Sequence, residues 1–469
     1  MRQGISLAIA AIASAALAAP GGAPAATRTR TWVLPAVDKV RPVDLPSAFH
    51  GTQVVAARGA RRAFQVAVRA PAGTSVSLRV RAPNGFGPRL YVEGVVDVTE
   101  PSPGRGARSV GGWPDILVPG ARFTSDGTTH LFWVDVTVGR GVADGSYRMS
   151  LRLGVGRRVR RLVATVRVIG TQPPAALTGL AGIYDPANAN VATARLLAAY
   201  RLPAGEWTEP QRTLARLMRF QSVVQLPGQS DPARYGRSLR AAMGELRRLG
   251  VAGRNIAYVA DEPGCGQLAA AERRAAQARA ADAAIRPLVT ISPGACRGAA
   301  ASRLPDVRIF VPTERNAEAS WSARVAQWIY PNSGRAGPGF TTFALDDPGP
   351  ASLLIGWRAA LLGARGVLYW SADIWSRGFD PYTTTLATFA GQGYPGDGVL
   401  VYPGRRASLR LALYREGALD ADLVRCAGRR GLELAATVAP ASRRLVRSSR
   451  RILSVRAALA IACAVARAS

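Results

Sequence analysis

The amino-acid sequence predicts a multi-domain protein: an N-terminal antiparallel β-sandwich, a (β/α)8 barrel of the TIM type, and a C-terminal helix. The chain has 469 residues, too long for one ordinary hydrophobic core. Apolar and polar residues alternate in the first third, as in strands with one buried face. Helices and short apolar strands then alternate, which indicates a parallel sheet covered by helices. We therefore expect domains at 27–172 and 173–430, and a basic helical segment at 431–469.

The first residues predict export. Arg2 precedes an apolar run of small residues at 5–19 and two Ala-x-Ala sites, the layout of a secretory signal. An uncleaved anchor is the alternative, but the run is shorter than the roughly 20 residues that cross a bilayer. We expect a signal peptide at residues 1–26 and a secreted or cell-envelope protein with no transmembrane segment.

The sandwich prediction depends on segments of period two. Residues 62–68, 132–138 and 147–153 place apolar side chains at alternate positions. Turn-forming residues separate such segments, as in Ala-Asp-Gly-Ser at 143–146. No helical pattern interrupts them, and Thr-Gln-Pro-Pro at 171–174 is a natural linker to the next unit.

The barrel prediction depends on about eight short apolar strands, separated by helices, over roughly 250 residues, the usual size of this fold. The strands are expected at 177–184, 223–226, 256–260, 288–291, 307–311, 328–330, 366–370 and 399–402. An open doubly wound sheet is the alternative. It has less support because no strand leads into a glycine-rich phosphate loop.

Side chains suited to sugar binding lie at the ends of these strands, where the active site of a barrel is found. Aromatic rings stack on the apolar faces of sugars, and carboxylates bind hydroxyls and act at the glycosidic oxygen. We therefore predict a glycan substrate and the following binding residues: Trp328, Tyr330, Tyr369, Trp370, Asp373 and Trp375. The alternative for the tryptophans is that they fill the core.

The candidate catalytic residues are Asp261 and Glu262, which follow the strand at 256–260. Pro263 is expected to hold Glu262 extended, so that both carboxylates reach the rim. Adjacent carboxylates suit substrate-assisted glycoside hydrolysis, in which the 2-acetamido oxygen of the sugar is the nucleophile. Burial beside another carboxylate would raise the pKa of Glu262 and allow it to act as an acid. The alternative is an acidic turn that caps the next helix.

The formal net charge is +31 and comes almost entirely from arginine, because Lys39 is the single lysine. Such a surface attracts polyanions, so weak attraction to anionic envelope polymers is one expectation. A bias toward arginine on solvated surfaces is the alternative. No nucleic-acid-binding motif accompanies the charge, so no nucleic-acid partner is expected. With two histidines and no Cys-x-x-Cys spacing, neither a metal site nor another cofactor is expected.

Several blocks of sequence resemble glycoside hydrolase family 123, a family of secreted β-N-acetylgalactosaminidases and uncharacterised relatives. They are GWPDILVP at 112–119, FWVDV at 132–136, DEP at 261–263, GVLYWS at 366–371 and GDGVLVYPG at 396–404. The resemblance implies a retaining, substrate-assisted mechanism, with Glu262 as acid/base and Asp261 supporting the acetamido group.

Three functions are compatible with these observations. The first is a β-N-acetylhexosaminidase directed at galactosamine. The second is a glycosidase of the same scaffold that acts on another envelope glycan. The third is a non-catalytic glycan-binding protein that uses the basic surface. The acidic pair favours the first two.

Four cysteines in an exported protein suggest disulfides, and the sequence alone allows three pairings. Neighbouring βα-loops of a barrel come close at one rim, which favours Cys265–Cys296 and leaves Cys426 to Cys463. Apolar residues recur at helical spacing within 443–466, among arginines. We expect a closing helix packed on the barrel; a helix lying on anionic membrane is the alternative.

Overall fold

The computed structural model describes residues 28–184, 190–205, 224–226, 231–317, 326–331, 340–377, 380–382, 386–389, 392–440 and 445–468. The predicted signal peptide lies outside the described residues. Part of the predicted strand at 223–226 does so as well.

Strands β1 to β10 form two five-stranded sheets. Their bounds are Arg30–Pro35, Val54–Arg58, Arg61–Arg69, Ser75–Arg81, Phe86–Val98, Gly111–Pro119, Arg122–Thr124, Thr129–Val138, Gly145–Val155 and Arg158–Thr171. The first sheet has the order β1-β3-β8-β5-β6 and the second the order β2-β10-β9-β4-β7. The described pairings are antiparallel except that of β2 with β10, which is parallel.

The two sheets pack face to face because their strands bury alternate residues. In β9, Met149 and Leu151 are buried, whereas Arg148 and Arg152 are exposed. The inward side chains of both sheets meet in one hydrophobic cluster. This is the arrangement of a β-sandwich, in which each inner face supplies half of the core.

The second unit contains an open sheet of seven parallel strands. These are β11 (Thr178–Ala181), β12 (Val224–Gln225), β13 (Asn255–Ala260), β14 (Pro287–Val289), β15 (Ile309–Phe310), β16 (Ala326–Ile329) and β17 (Gly366–Tyr369). Their order is β11-β17-β16-β15-β14-β13-β12, with parallel pairing throughout.

The predicted closed (β/α)8 barrel is wrong. Closure requires ladder hydrogen bonds between the first and last strands of the sheet. Within the described residues, β11 and β12 are the two edges and do not pair with each other. On the side of β11 away from β17, the described residues form an isolated β-bridge between Ala181 and Ala204 and no paired strand. The unit is therefore a parallel half-barrel. The residues expected to form a last strand at 399–402 instead contribute to a small antiparallel hairpin.

Helices cover this sheet. The described helices are α1 (Val191–Ala199), α2 (Pro232–Arg248), α3 (Leu268–Ala281), α4 (Ala300–Arg303), α5 (Gly349–Leu361), α6 (Leu409–Cys426), α7 (Gly428–Ala436) and α8 (Ser449–Ala466). The apolar sides of α2 and α3 pack on one face of the sheet. The opposite face holds a separate cluster in which Trp328 is the largest side chain. Two hairpins complete the unit: β18 (Leu386–Phe389) with β19 (Gln392–Pro395), and β20 (Val401–Tyr402) with β21 (Arg406–Ala407).

Buried ion pairs join the sandwich to helix α6. Asp115 of β6 pairs with Arg410 at 2.7 Å, and Asp135 of β8 pairs with Arg415 at 2.7 Å. Arg62 of β3 pairs with Asp420 at 2.8 Å. All six of these side chains are at most 2% exposed. Since an unpaired buried charge is costly, these pairs determine how the two units fit together.

The C-terminal helix α8 packs on the protein. Its apolar residues Ile452, Leu459 and Cys463 are buried, and it contacts α6, α7 and strands β2 and β10 of the sandwich. Arg456 reaches inward and pairs with Asp420 at 2.8 Å. The helix therefore packs against the sandwich as well as against the sheet unit, and its buried apolar residues face protein.

Two disulfides are present, Cys265–Cys296 and Cys426–Cys463. They are the pairs that the sequence favoured. The first links the loops after β13 and β14, and the second links the end of α6 to α8. In the described ranges, no helix is both long enough and apolar enough to cross a membrane.

Candidate active site

Asp261 lies at the carboxyl end of β13, and two hydroxyl groups hold its side chain. Its Oδ1 accepts a hydrogen bond of 2.6 Å from the Tyr258 hydroxyl and one of 3.0 Å from the Thr290 hydroxyl. Tyr258 belongs to β13, and Thr290 follows β14, the neighbouring strand. The carboxylate is thus fixed by residues from two adjacent strand ends, while Asp261 itself is exposed.

Glu262 adopts a backbone conformation that the sequence did not indicate. Its φ is +40°, in the left-handed region, although Pro263 was expected to keep it extended. The Glu262 amide donates a 2.6 Å hydrogen bond to the Thr290 hydroxyl, which holds the turn. Such backbone strain is costly and is concentrated at functional sites. The burial expected for Glu262 is also absent, since the residue is exposed.

A pocket opens beside Asp261 at the carboxyl ends of β11, β13 and β17. It is lined by Leu180, Gly182, Tyr184, Tyr258, Asp261, Leu368, Tyr369 and Trp370. Tyr184 and Trp370 meet edge to face, with ring centroids 5.9 Å apart. Two predicted residues, Tyr369 and Trp370, therefore lie in the same pocket as Asp261. Its mixture of aromatic surface and carboxylate suits a sugar ring.

Asp397 supports the aromatic side of this pocket. Its Oδ1 accepts hydrogen bonds from the Tyr369 hydroxyl at 2.9 Å and from the Trp370 indole at 2.8 Å. Asp397 is not among the site residues predicted from the sequence. The available signal was its position between Gly396 and Gly398, both of which have positive φ and form a tight turn.

The tyrosines at the site remain protonated at neutral pH. Burial, together with the charge of Asp261, raises the pKa of Tyr258. Burial, together with the charges of Asp397 and Glu262, raises the pKa of Tyr330 well above its usual value. These hydroxyls are therefore hydrogen-bond donors. The effect on Tyr330 also places it within the electric field of Glu262, although Tyr330 does not line the pocket.

Besides Tyr330, three predicted binding residues do not line this pocket. Trp328 is 2% exposed and fills the inner face of the sheet, where its ring lies against Gly366. Trp375 donates to the Val401 carbonyl and packs toward the sandwich. Asp373 is buried, and its carboxylate accepts a 2.7 Å hydrogen bond from the Tyr184 amide. Trp328 and Trp375 therefore contribute to the core, and Asp373 positions Tyr184.

The alternative interpretation, in which the acidic pair caps the next helix, does not agree with the contacts of Asp261. Helix α3 begins at Leu268, and the preceding turn is closed by the Gln267 side chain, which accepts from the Gly264 amide at 2.8 Å. The Asp261 carboxylate instead contacts Tyr258 and Thr290. Among the described residues, no group of three or more His, Cys, Asp or Glu side chains could hold a metal ion.

Comparisons with known proteins show which family and which fold this chain is similar to. Residues 233–427 match the family model "Glycoside hydrolase 123, catalytic domain", and no curated protein matches the chain. A family 123 glycoside hydrolase from Clostridium perfringens has a similar fold, with a TM-score of 0.64 and 12% identity over 94% of this chain and 99% of that chain. A family 2 glycosyl hydrolase from Bacteroides cellulosilyticus matches with a TM-score of only 0.30, at 11% identity over 73% of this chain and 46% of that chain. The matched segment, 233–427, contains the acidic pair, Tyr369, Trp370 and Asp397. The chain therefore resembles glycoside hydrolase family 123, and its residues 233–427 match the catalytic domain of that family of glycoside hydrolases.

Proposed function

We propose that the protein is a retaining β-N-acetylhexosaminidase that uses the 2-acetamido group of its substrate as the nucleophile. The observation that carries the proposal is the fixed carboxylate of Asp261 in an aromatic pocket, next to the exposed Glu262. Two carboxylates on adjacent residues suit this chemistry because the substrate itself supplies the attacking oxygen. The family 123 resemblance supports the same assignment.

In the proposed first step, the acetamido oxygen attacks the anomeric carbon and the bond to the leaving oxygen breaks. Glu262 donates its proton to the leaving oxygen, and Asp261 accepts a hydrogen bond from the acetamido N–H and stabilises the positive charge of the cyclic oxazolinium. In the second step, Glu262 takes a proton from water as the water attacks the same carbon and reopens the ring. The configuration is retained because two inversions occur.

The hydrogen bonds to Asp261 fit the role of a fixed acceptor for the acetamido group. Two hydroxyl donors bind one of its oxygens and so orient the carboxylate. Glu262 is exposed and can change its protonation state during turnover. The two adjacent acids therefore have different surroundings, which is the usual condition for two different catalytic roles.

The sugar proposed is N-acetylgalactosamine, because of the family resemblance. The Clostridium perfringens enzyme is described as acting in glycolipid glycan hydrolysis. For this chain, we propose an exported enzyme that acts on an envelope or extracellular glycan. Two disulfides are consistent with an oxidising compartment. N-terminal sequencing of the mature protein tests export: cleavage within about the first 30 residues is expected.

The test is a panel of aryl β-glycosides of N-acetylgalactosamine, N-acetylglucosamine, galactose and glucose. Glu262→Gln should lower kcat by about 10²–10⁴-fold on the best substrate. Asp261→Asn should be severe only for the 2-acetamido sugars. The matched control is Glu433→Gln, an exposed carboxylate on α7 that pairs with Arg429 and Arg430. The activity of this variant should stay within about twofold of that of the unaltered protein.

The outcomes separate the three functions. Turnover confined to 2-acetamido sugars supports the proposal. Turnover of plain hexosides that is equally sensitive to Asp261→Asn would show that another nucleophile operates. Binding of glycans without turnover of any glycoside, unchanged in both acid variants, would show a non-catalytic binding protein.

A further inference from the structure

A chain of contacts runs from the sandwich to the aromatic pocket. It begins at Asp115 on β6, whose carboxylate accepts hydrogen bonds from Arg410 of α6 at 2.7, 3.0 and 3.1 Å. The Tyr402 hydroxyl donates to the same carboxylate at 2.7 Å. Asp115 and Arg410 are 0% and 1% exposed, so water does not screen this pair.

The Arg410 guanidinium also donates to the Phe343 carbonyl and to two carbonyls of the turn that follows β19. Nη1 donates to the Gly396 carbonyl at 2.6 Å, and Nη2 donates to the Val399 carbonyl. The planar guanidinium of Arg410 therefore binds carbonyls at both ends of the turn formed by Gly396, Asp397 and Gly398, which we call the Asp397 turn. The contact is tight, because a β-carbon on Gly396 would lie 2.7 Å from Arg410 Nη1.

The same turn touches Trp370 on its other side. Asp397 accepts the indole hydrogen bond of Trp370, and a β-carbon on Gly398 would lie 2.5 Å from the Trp370 ring. The turn is thus packed between Arg410 and Trp370, with a glycine at each contact. A shift of Arg410 would move the carboxylate that holds the Trp370 ring in the pocket.

We propose that Asp115 and Arg410 are positioning residues that hold Trp370 as a sugar-stacking surface by way of the Asp397 turn. The sandwich is then part of the active-site machinery rather than a separate module. This inference rests on the proposed function for its kinetic consequence, because the stacking role of Trp370 belongs to that function. The geometric consequence, an altered Trp370 environment, does not depend on any activity.

A neighbouring ion pair provides a matched control. Asp135 and Arg415 also join the sandwich to α6, at 2.7 Å, and are 1% and 2% exposed. The Arg415 guanidinium lies over the Tyr200 ring and makes no hydrogen bond to the Asp397 turn within the described chain. Loss of Asp135 should therefore cost stability as loss of Asp115 does, without a specific effect on the pocket.

The experiment uses the full mature protein labelled with 5-fluorotryptophan, in which Trp370→Phe assigns the ¹⁹F resonance of Trp370 among the nine tryptophans. Asp115→Asn, Tyr402→Phe and Asp397→Asn should each shift or broaden that resonance, whereas Asp135→Asn should leave it unchanged. On the best aryl glycoside, Asp115→Asn should lower kcat/KM by about 10- to 100-fold, as small misplacements of positioning groups do. Asp135→Asn should stay within about twofold, measured below its melting temperature.

Tyr402→Phe removes one hydrogen bond to Asp115 and keeps its ion pair with Arg410. It therefore tests this series of contacts even if the Asp115→Asn variant does not fold. An unchanged Trp370 resonance in both variants would overturn the proposal. So would an Asp135→Asn variant that matched Asp115→Asn in both readouts. If no glycoside is hydrolysed, the ¹⁹F result still decides the positioning question, and the proposed function alone fails.

A second feature is independent of the pocket: an arginine-covered face of the sandwich. On strands β4, β9 and β10, the inward residues form the core and the outward residues are exposed. The outward arginines are Arg79, Arg81, Arg148, Arg152, Arg161 and Arg167. Arg152 is directly opposite Arg161 on one side and Arg79 on the other, so three arginines form a row across three strands.

This row is unfavourable without a counterion, since like charges directly across a sheet repel. The outward residues of the three strands include no acidic side chain, and the salt bridges of the described chain do not involve these six arginines. They also include no aromatic ring on which the bases of a single-stranded nucleic acid could stack. We infer that this arginine face binds a linear polysaccharide that carries sulfate or carboxylate groups.

Binding of dextran sulfate, alginate, neutral dextran and duplex DNA to the full mature protein at physiological ionic strength tests this inference. Arg79→Gln/Arg152→Gln/Arg161→Gln should weaken binding of the charged polysaccharides by about tenfold or more. The control lowers the net charge equally on the exposed side of α2, by changing Arg237, Arg240 and Arg248 to Gln. It should change affinity by less than about threefold. Equal losses in both triple variants, tighter binding of DNA, or no binding of either anionic polysaccharide would overturn the inference.

Discussion

Thr290→Val is the sharpest test of the geometry around the acidic pair. The Thr290 hydroxyl donates to Asp261 Oδ1 at 3.0 Å and accepts from the Glu262 amide at 2.6 Å. Valine has the same shape without the hydroxyl. The change therefore removes one hydrogen bond to a carboxylate and leaves the amide of a strained turn without its partner.

The expected cost follows from these two contacts. A hydrogen bond to a charged group contributes about 1.5–3 kcal/mol, and an unsatisfied amide costs a similar amount when it is shielded from water. Because Glu262 is exposed, water can replace part of the second contact. We expect a loss of about 2–3 kcal/mol of transition-state stabilisation, or roughly 30- to 150-fold in kcat/KM.

The assay is kcat/KM on the best aryl glycoside, with melting temperatures measured in parallel. Thr290→Ser keeps the hydroxyl and should retain activity within a few-fold of the unaltered protein. The matched control is Thr193→Val, which should be neutral or slightly stabilising. Thr193 is a buried threonine whose hydroxyl has no hydrogen-bond partner among the described residues. If Thr290→Val kept more than about a third of the original kcat/KM, the assigned role of this hydroxyl would be refuted.

Three further predictions concern stability. Burial raises the pKa of Glu93 from 4.5 to about 8, so the folded state binds this proton more tightly and the free energy of unfolding falls as pH rises from about 4.5 to 8. Glu93→Gln should remove about 3 kcal/mol of that loss at pH 7, as measured from urea midpoints at pH 5 and pH 7. An unchanged pH dependence in this variant would contradict the raised pKa. Replacing Cys426 and Cys463 by Ser opens a loop with a sequence separation of 37 and should lower the free energy of unfolding, measured in denaturant, by about 4 kcal/mol. A loss below about 1 kcal/mol would show that packing holds α8 in place without the disulfide. Truncation after Pro440, in a Cys426→Ser background, should lower the melting temperature and leave binding to anionic liposomes unchanged. Loss of liposome binding with an unchanged melting temperature would support the alternative, in which α8 lies on the membrane surface.

Local patterns in the sequence were sufficient for several features. The alternation in β9 identifies the buried Met149 and Leu151, because a strand places successive side chains on opposite faces. The apolar strand 256–260 identifies where the acidic pair must lie, since side chains that follow a parallel strand gather at one edge of the sheet. The same reasoning paired Cys265 with Cys296.

Sheet closure could not be decided in this way. Short apolar parallel strands have the same pattern in an open sheet as in a barrel, since both are covered by helices. Whether β11 and β12 pair depends on contacts between segments that are distant in the sequence. The inward or outward direction of Trp328 depends on the same arrangement, which is why a residue expected at the rim is buried in the core.

By itself, the sequence determined the strand periodicity, the position of Asp261 and Glu262, and the resemblance to family 123. Only the tertiary structure decided which residues, distant in the sequence, contact each other at the site and between the two units. Thr290 is 29 residues from Asp261, and Arg410 is 295 residues from Asp115. A hydroxyl or a guanidinium has no sequence pattern that names its partner, because hydrogen bonds depend on distances of about 3 Å in space and not on spacing along the chain.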